Sequence, residues 1–206
     1  MATFLGNIRY VAWTGIALAL IFLLTYATVG QGREITDAGV VQAFLRWSHV
    51  LVGIMWIGHL YYFNFTQIPN MPKIPDEQKP AIGKVIAPAA LFWFRWGAMA
   101  TLVTGVLLTM NQGYLLQAYT LGGADDPSFA VPKHILIGIG MWLATIMWFN
   151  VWFIIWPNQQ KILGLVEATA EQKAAAVKPA LYASRFNTMF SIGMLYCMVA
   201  QQNAPV

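Results

Sequence analysis

The chain has 206 residues, of which 58% are hydrophobic and 10% charged, and its formal net charge is +4. Soluble domains carry about 25% charged residues, so the composition excludes a water-soluble globular protein and indicates an integral membrane protein. The basic excess does not indicate nucleic acid, because the Lys and Arg residues sit mainly between apolar stretches and read as topology determinants.

A bilayer-crossing helix needs about 20 predominantly apolar residues. Five stretches meet that requirement, at about 9–29, 40–65, 85–110, 134–156 and 181–200. The predicted fold is all-α, a single polytopic bundle of five transmembrane helices. Gly30-Gln31-Gly32, Pro69 to Pro72, Gly122 to Pro127 and Pro157-Asn158 supply turn chemistry between the stretches. The first stretch is expected to stay as a spanning helix instead of being removed as a signal peptide. Leu163 to Lys178 is Ala-rich with Glu167, Glu171 and Lys173, which predicts a short solvated helix stopped by Pro179. No internal repeat is evident. The single cysteine, Cys197, excludes an internal disulfide, a CxxC site and a covalent CxxCH haem attachment.

Arg9, Lys73, Lys79, Lys84, Lys161, Lys173, Lys178 and Arg185 fall on one side of the five-helix arrangement, and Arg33 and Lys133 on the other. The positive-inside rule then predicts a cytoplasmic N-terminus and a periplasmic C-terminus in a bacterial inner membrane.

Chemistry concentrates in the second stretch, which carries an arginine and two of the three histidines. An ionisable residue in lipid is costly and is by default a functional-site hypothesis. At about 100° per residue, Arg46, His49, Gly53 and Trp56 share a stripe from which His59 is displaced. A b-type haem needs one or two neutral imidazoles from facing helices, with small residues where the macrocycle lies flat. His49 followed one turn later by Gly53, and His134 followed by Gly138, have that form, and the second and fourth helices run in the same direction. Arg46, one turn from His49, is placed to pair a haem propionate. An interhelical hydrogen bond is the competing reading for His49, and a snorkelling surface residue for His134. His59, with no second histidine at its depth, reads as a core hydrogen bond or partner contact. Arg95 lies in Leu91-Phe-Trp-Phe-Arg-Trp-Gly97, and no acidic residue falls inside a stretch. Its expected partner is an anion borne by a ligand or another protein, with stacking on Trp93 or Trp96 as the other reading. Trp148, Trp152 and Trp156 form an i, i+4, i+8 stripe that reads as an aromatic belt. No nucleophilic triad, HExxH pattern or phosphate loop is present.

Arg46-Trp-Ser-His49, Gly53-Ile-Met-Trp-Ile-Gly58, Leu60-Tyr-Tyr-Phe63, Phe92-Trp-Phe-Arg-Trp-Gly97 and Asn150-Val-Trp-Phe-Ile-Ile-Trp-Pro-Asn-Gln159 resemble the urate oxidase N-terminal domain of PuuD-type urate oxidases. That resemblance implies a membrane domain which, in those proteins, is joined to a cytochrome c and passes electrons from urate oxidation toward the respiratory chain. With no CxxCH, the expected form here is a short one without the cytochrome c domain. A weaker resemblance of His49, Trp56, Leu60, Tyr61 and Tyr62 to HemJ-type haem-binding membrane proteins implies an axial-ligand role for His49. The expected function is a membrane protein that relays electrons through haem b, within or beside a respiratory or photosynthetic complex. His49 and His134 are the expected metal ligands, and Arg46, Gly53, Trp56 and Arg95 the surrounding cofactor residues. Expected partners are lipids, other membrane subunits or a cytochrome c. The alternatives are a non-catalytic accessory subunit binding lipid, pigment or partner helices, and a urate- or porphyrinogen-oxidising enzyme using an external acceptor.

Overall fold

The computed structural model describes residues 2–30, 32, 34–125 and 132–203, without the side chains of residues 2, 3 and 203. Gln31, Arg33, Asp126 and Pro127, used above for turn and topology predictions, lie outside the described residues. Helix α1 spans Ile8–Gly30, α2 Ala38–Lys73, α3 Lys79–Asn111, α4 Leu115–Tyr119, α5 Pro132–Ile162 and α6 Ala170–Asn203. A single helical turn at Ala2–Leu5 precedes α1, and no strand occurs among the described residues.

The all-α expectation holds with one correction: among the described residues four helices, α1, α2, α3 and α5, are long and apolar enough to cross a membrane, not five. Helix α6 has the length, but Ser184, Arg185, Asn187, Thr188 and Ser191 interrupt its apolar run. These residues include the side chains that tie α6 to its neighbours. Asn187, 0% exposed, accepts from Asn150 Nδ2 at 2.8 Å and donates to the Met147 carbonyl at 2.9 Å. Ser184 accepts from Asn64 Nδ2 at 2.7 Å, and Ser191 Oγ lies 3.0 Å from the Tyr61 hydroxyl. Interhelical hydrogen bonds of this kind hold membrane bundles where apolar contact gives no advantage over lipid.

Two helices run on past prolines expected to end them. In α2 and α5 the residues just before Pro69 and Pro157 form wider, π-helical turns, Tyr62–Gln67 and Asn150–Ile155. Proline lacks the N–H for the i−4 carbonyl and its ring crowds that carbonyl; a widened turn relieves both. The asparagine after each proline adds a side-chain bond to its own i−4 carbonyl, Asn70 Nδ2 to Thr66 O and Asn158 Nδ2 to Ile154 O, both at 2.7 Å. Pro179 likewise lies inside α6 instead of stopping a shorter helix. It stands in the exposed first turns, where water can reach the Ala175 carbonyl that loses its partner. The start of α6 is set by a capping box: Thr169 N–H donates to Gln172 Oε1 at 2.9 Å and Gln172 N–H to Thr169 Oγ1 at 3.3 Å. Bonding to the Thr169 hydroxyl also holds the exposed Glu171 carboxyl below its usual range. Gly113 and Gly164, at φ +76° and +69°, close α3 and α5, with Tyr114 N–H on Thr109 O and Leu165 N–H on Gln160 O.

The chain divides into two compact units, Met1–Ser48 and His49–Val206. The first holds α1, capped by Asn7, whose Oδ1 accepts from Arg9 N–H, and the start of α2, where Asp37 Oδ1 accepts from Gly39 N–H. The second holds the rest of α2 with α3 to α6. Within it, contacts run in opposite numerical order between α2 and α3 (Trp56 with Gly97, Phe63 with Phe94), and between α5 and α6 (Gly140 with Cys197, Met147 with Asn187). Each pair is therefore antiparallel. Asn64 with Ser184 and Tyr61 with Ser191 show the same for α2 and α6, so α2 and α5 run the same way, as expected. The core gathers Trp56, Leu60, Phe63, Leu91, Phe94, Met147 and Val151, while Ile54, Phe92, Trp93, Ile146 and Phe153 face outward. Apolar side chains outside and hydrogen-bonded Asn and Ser within suit a bundle in contact with lipid.

A repeat is visible once the pairs are compared. Met55-Trp56 and Phe63-Asn64 of α2 recur at the same spacing as Met141-Trp142 and Phe149-Asn150 of α5. Asn64 and Asn150 each lie in a π-helical turn that leads to a Pro-Asn step, and both asparagines donate to α6.

Candidate functional site

The sequence expectation centred on His49, and the structure fixes which of its nitrogens is available. Nδ1 stands 3.0 Å from the Thr101 carbonyl and 3.2 Å from Thr104 Oγ1. The carbonyl can only accept, so Nδ1 carries the hydrogen and the neutral ring keeps its lone pair on Nε2, an assignment made from the hydrogen-bond partners. The Thr104 hydroxyl fits that tautomer because it donates to Ala100 O at 2.7 Å. A backbone carbonyl on one ring nitrogen is the usual way to orient an imidazole whose other nitrogen binds a metal. The small residue that admits the ring is Gly105 of α3: a β-carbon there would stand 2.9 Å from His49 Cε1. Gly53, the residue singled out from spacing, makes only an ordinary approach, 4.0 Å to Thr101 Cγ2.

His49 lines a cavity of about 40 Å³ together with Trp56, Met141, Met194 and Met198. The donor chemistry suits a haem iron, but the space does not, since organic cofactor pockets have about 300–1,000 Å³. Nor is His134 among the lining residues. Its Nδ1 donates to the Asp125 carboxylate, 2.8 Å and 3.0 Å to the two oxygens, and its ring stacks on Tyr114 with centroids 5.5 Å apart. This contact ties the start of α5 to the preceding loop. Gly138, expected to leave a gap beside His134, is instead in contact with the Ala118 carbonyl of α4. Tyr119 O accepts from Trp142 Nε1 at 3.0 Å and seals the same junction.

Arg46 lies in the first unit. Arg95 is half-buried under aromatic rings, its guanidinium carbon 3.7 Å from the Trp156 centroid, 5.3 Å from Trp152 and 5.8 Å from Trp96. Three ring faces supply the partially negative surface a cation needs away from water. Trp96 stacking was one of the two sequence readings. Trp152 and Trp156 were not linked to Arg95, although their stripe on α5 was plain in the sequence.

The residue that sequence reasoning set aside is His59. It borders a groove of about 450 Å³ between α2 and α3, with Gly58, Tyr62, Ala89, Ala90 and Trp93 among its lining. Its Nδ1 donates to the Met55 carbonyl at 2.6 Å, so here too the Nε2 lone pair remains. An available imidazole nitrogen, small residues along the helix surfaces and sufficient room thus meet at His59. The sequence contained Gly58-His59, but the opposing Ala89-Ala90 could be set against it only after α2 and α3 were packed.

Residues 128–205 match the family described as urate oxidase N-terminal, in agreement with the resemblance noted from the sequence. The match takes in the described helices α5 and α6 and the Asn150–Gln159 motif, and leaves α2 and α3, with His49, His59 and Arg95, outside it. No curated protein and no solved structure matches the chain.

Proposed function

We propose that this chain, whose α5–α6 segment carries the urate oxidase N-terminal match, is a membrane subunit that holds one b-type haem in the α2–α3 groove and relays electrons to a partner. The observation that carries the reading is the His59 imidazole, with Nε2 available, beside an apolar groove of about 450 Å³. A haem bound there would supply a reversible one-electron couple. The Met55 carbonyl fixes the ring's tautomer and orientation, which strengthens Nε2 as a ligand. Gly58, Ala89 and Ala90 keep the helix surfaces low enough for a flat macrocycle, and Trp93 and Tyr62 supply aromatic walls. The apolar lining disfavours the extra positive charge of the oxidised state and so raises the potential.

Charge placement supports an orientation. Because α2 and α5 run the same way, Lys73 and Lys79 of one connection and Lys161 of the other lie at one end of the bundle. The positive-inside rule puts that end in the cytoplasm of a bacterial inner membrane and the opposite end, where α6 finishes, toward the periplasm. The electron partner is then another membrane subunit or a cytochrome c. The second reading is an accessory subunit holding a lipid or a redox-inactive pigment in the same groove, favoured by its outward-facing wall of Ile54 and Trp93. Haem content of protein purified in mild detergent separates the two. The relay requires about one haem per chain, lost in His59→Ala; a folded wild type without haem contradicts it, and a bound pigment with no redox response establishes the accessory role.

A further inference from the structure

The groove at His59 leaves the smaller, partly open cavity at His49 without a role. That cavity is lined from five helices, by His49 and Trp56 of α2, Gly105 of α3, Tyr119 of α4, Met141 of α5, and Met194 and Met198 of α6. At about 40 Å³ it is far below the size of an organic ligand pocket and above the ~10–15 Å³ that one water needs. A space of that size takes an ion.

Its donors select which ion. The lining groups are one imidazole nitrogen, the thioethers of three methionines and the hydroxyls of Thr101 and Tyr119, which are already hydrogen-bonded to Gly97 O and Thr145 Oγ1; all are neutral, and no Asp or Glu is among them. Among the described residues no group of three His, Cys, Asp or Glu assembles anywhere, so the oxygen-rich sets wanted by magnesium or calcium and the usual zinc sets are absent. Thioethers are soft donors and select Cu(I). Charge argues the same way, because the cost of desolvating an ion in apolar surroundings rises steeply with charge and neutral ligands do not offset a second positive charge. Trp56 is an independent sign of a polar guest. It is 1% exposed, yet its Nε1 has no hydrogen-bond partner, an expensive condition inside a bundle. Its N–H can hold a water accompanying the ion.

We infer that this cavity is a Cu(I) site, with His49 Nε2 and the thioethers of Met141, Met194 and Met198 as its donors. Gly105 serves it by admitting the imidazole against α3, where Thr101 O holds Nδ1 and leaves Nε2 to the metal. The site is independent of the haem reading, since none of its residues lines the His59 groove.

The test is anaerobic titration of the detergent-solubilised full chain with Cu(I), in competition with a chromogenic Cu(I) chelator. The wild type is expected to take up about one Cu(I) per chain and to show sulfur scatterers in its X-ray absorption spectrum. A Met141→Leu, Met194→Leu double variant conserves side-chain volume and hence the packing. It should bind on the order of 100-fold more weakly or worse, the scale at which supporting groups already affect metal sites. His59→Ala should leave Cu(I) affinity unchanged, which separates this outcome from failure of the haem proposal. Equal affinity in the wild type and the Leu variant, a folded wild type that retains no Cu(I), or preference for Zn(II) over Cu(I) would overturn the assignment.

Discussion

His49 and His59 lie on one helix and both donate Nδ1–H to a backbone carbonyl, so local chemistry alone does not distinguish them. Packing does: one imidazole lines a small, partly open cavity and the other a large groove. The stripe of His49, Gly53 and Trp56 could be read from helical spacing because all three share a helix. Gly105, which receives the His49 ring, comes from another helix, and no spacing within one chain reveals such a meeting. His134 shows the same limit. Its adjacent Lys133 and the glycine one turn on were visible, but its partner Asp125 belonged to a stretch read only as a turn. Gly138 was correctly singled out for its smallness, though it makes room for α4 and not for a cofactor. Gly138→Ala would drive a β-carbon into the Ala118 carbonyl; overpacking of this kind should cost about 1–3 kcal/mol. A lowered thermal midpoint with loss of the α4–α5 junction is the expected result, and an unchanged midpoint would show that the two helices can separate freely.

Among the elements, α2, α3 and α5 were legible from apolar length, but their ends were not. Proline ends a helix only when nothing relieves the missing N–H and the crowded carbonyl, and here π-helical turns carry the chain onward. Helix α6 posed the opposite difficulty. Its existence was predicted, and the polar residues that keep it from counting as a membrane-crossing helix are those that hold it in the bundle. Asn187 is the clearest case, since it bonds both Asn150 and the Met147 carbonyl. Asn187→Ala removes two interhelical bonds and leaves their partners buried. At about 0.6–1.7 kcal/mol per membrane interhelical bond, the loss should be about 1–3 kcal/mol. Denaturation of wild type and variant in the same detergent measures it, and equal stability would mean that α6 is held by apolar packing alone.

At the level of the whole molecule, the second unit contains two antiparallel pairs, α2–α3 and α5–α6, whose first helices share a residue pattern. The likeness lies in Met-Trp and Phe-Asn at equal spacing and a later Pro-Asn step at unequal spacing, scattered among varying apolar residues. That is why it became evident only after the helices were paired. The family match covers one pair, and both helix-borne histidines of the proposal lie in the other. The α2–α3 pair thus carries the imidazoles, and the α5–α6 pair contributes the thioethers and the aromatic cover for Arg95. The central claim is that haem is held at His59, in the groove, and not between His49 and His134. Reduced-minus-oxidised absorption spectra of wild type, His49→Ala and His59→Ala at equal folded protein test it most directly. The account predicts an α-band in the wild type and in His49→Ala and none in His59→Ala; a band that survives His59→Ala but disappears in His49→Ala would contradict it.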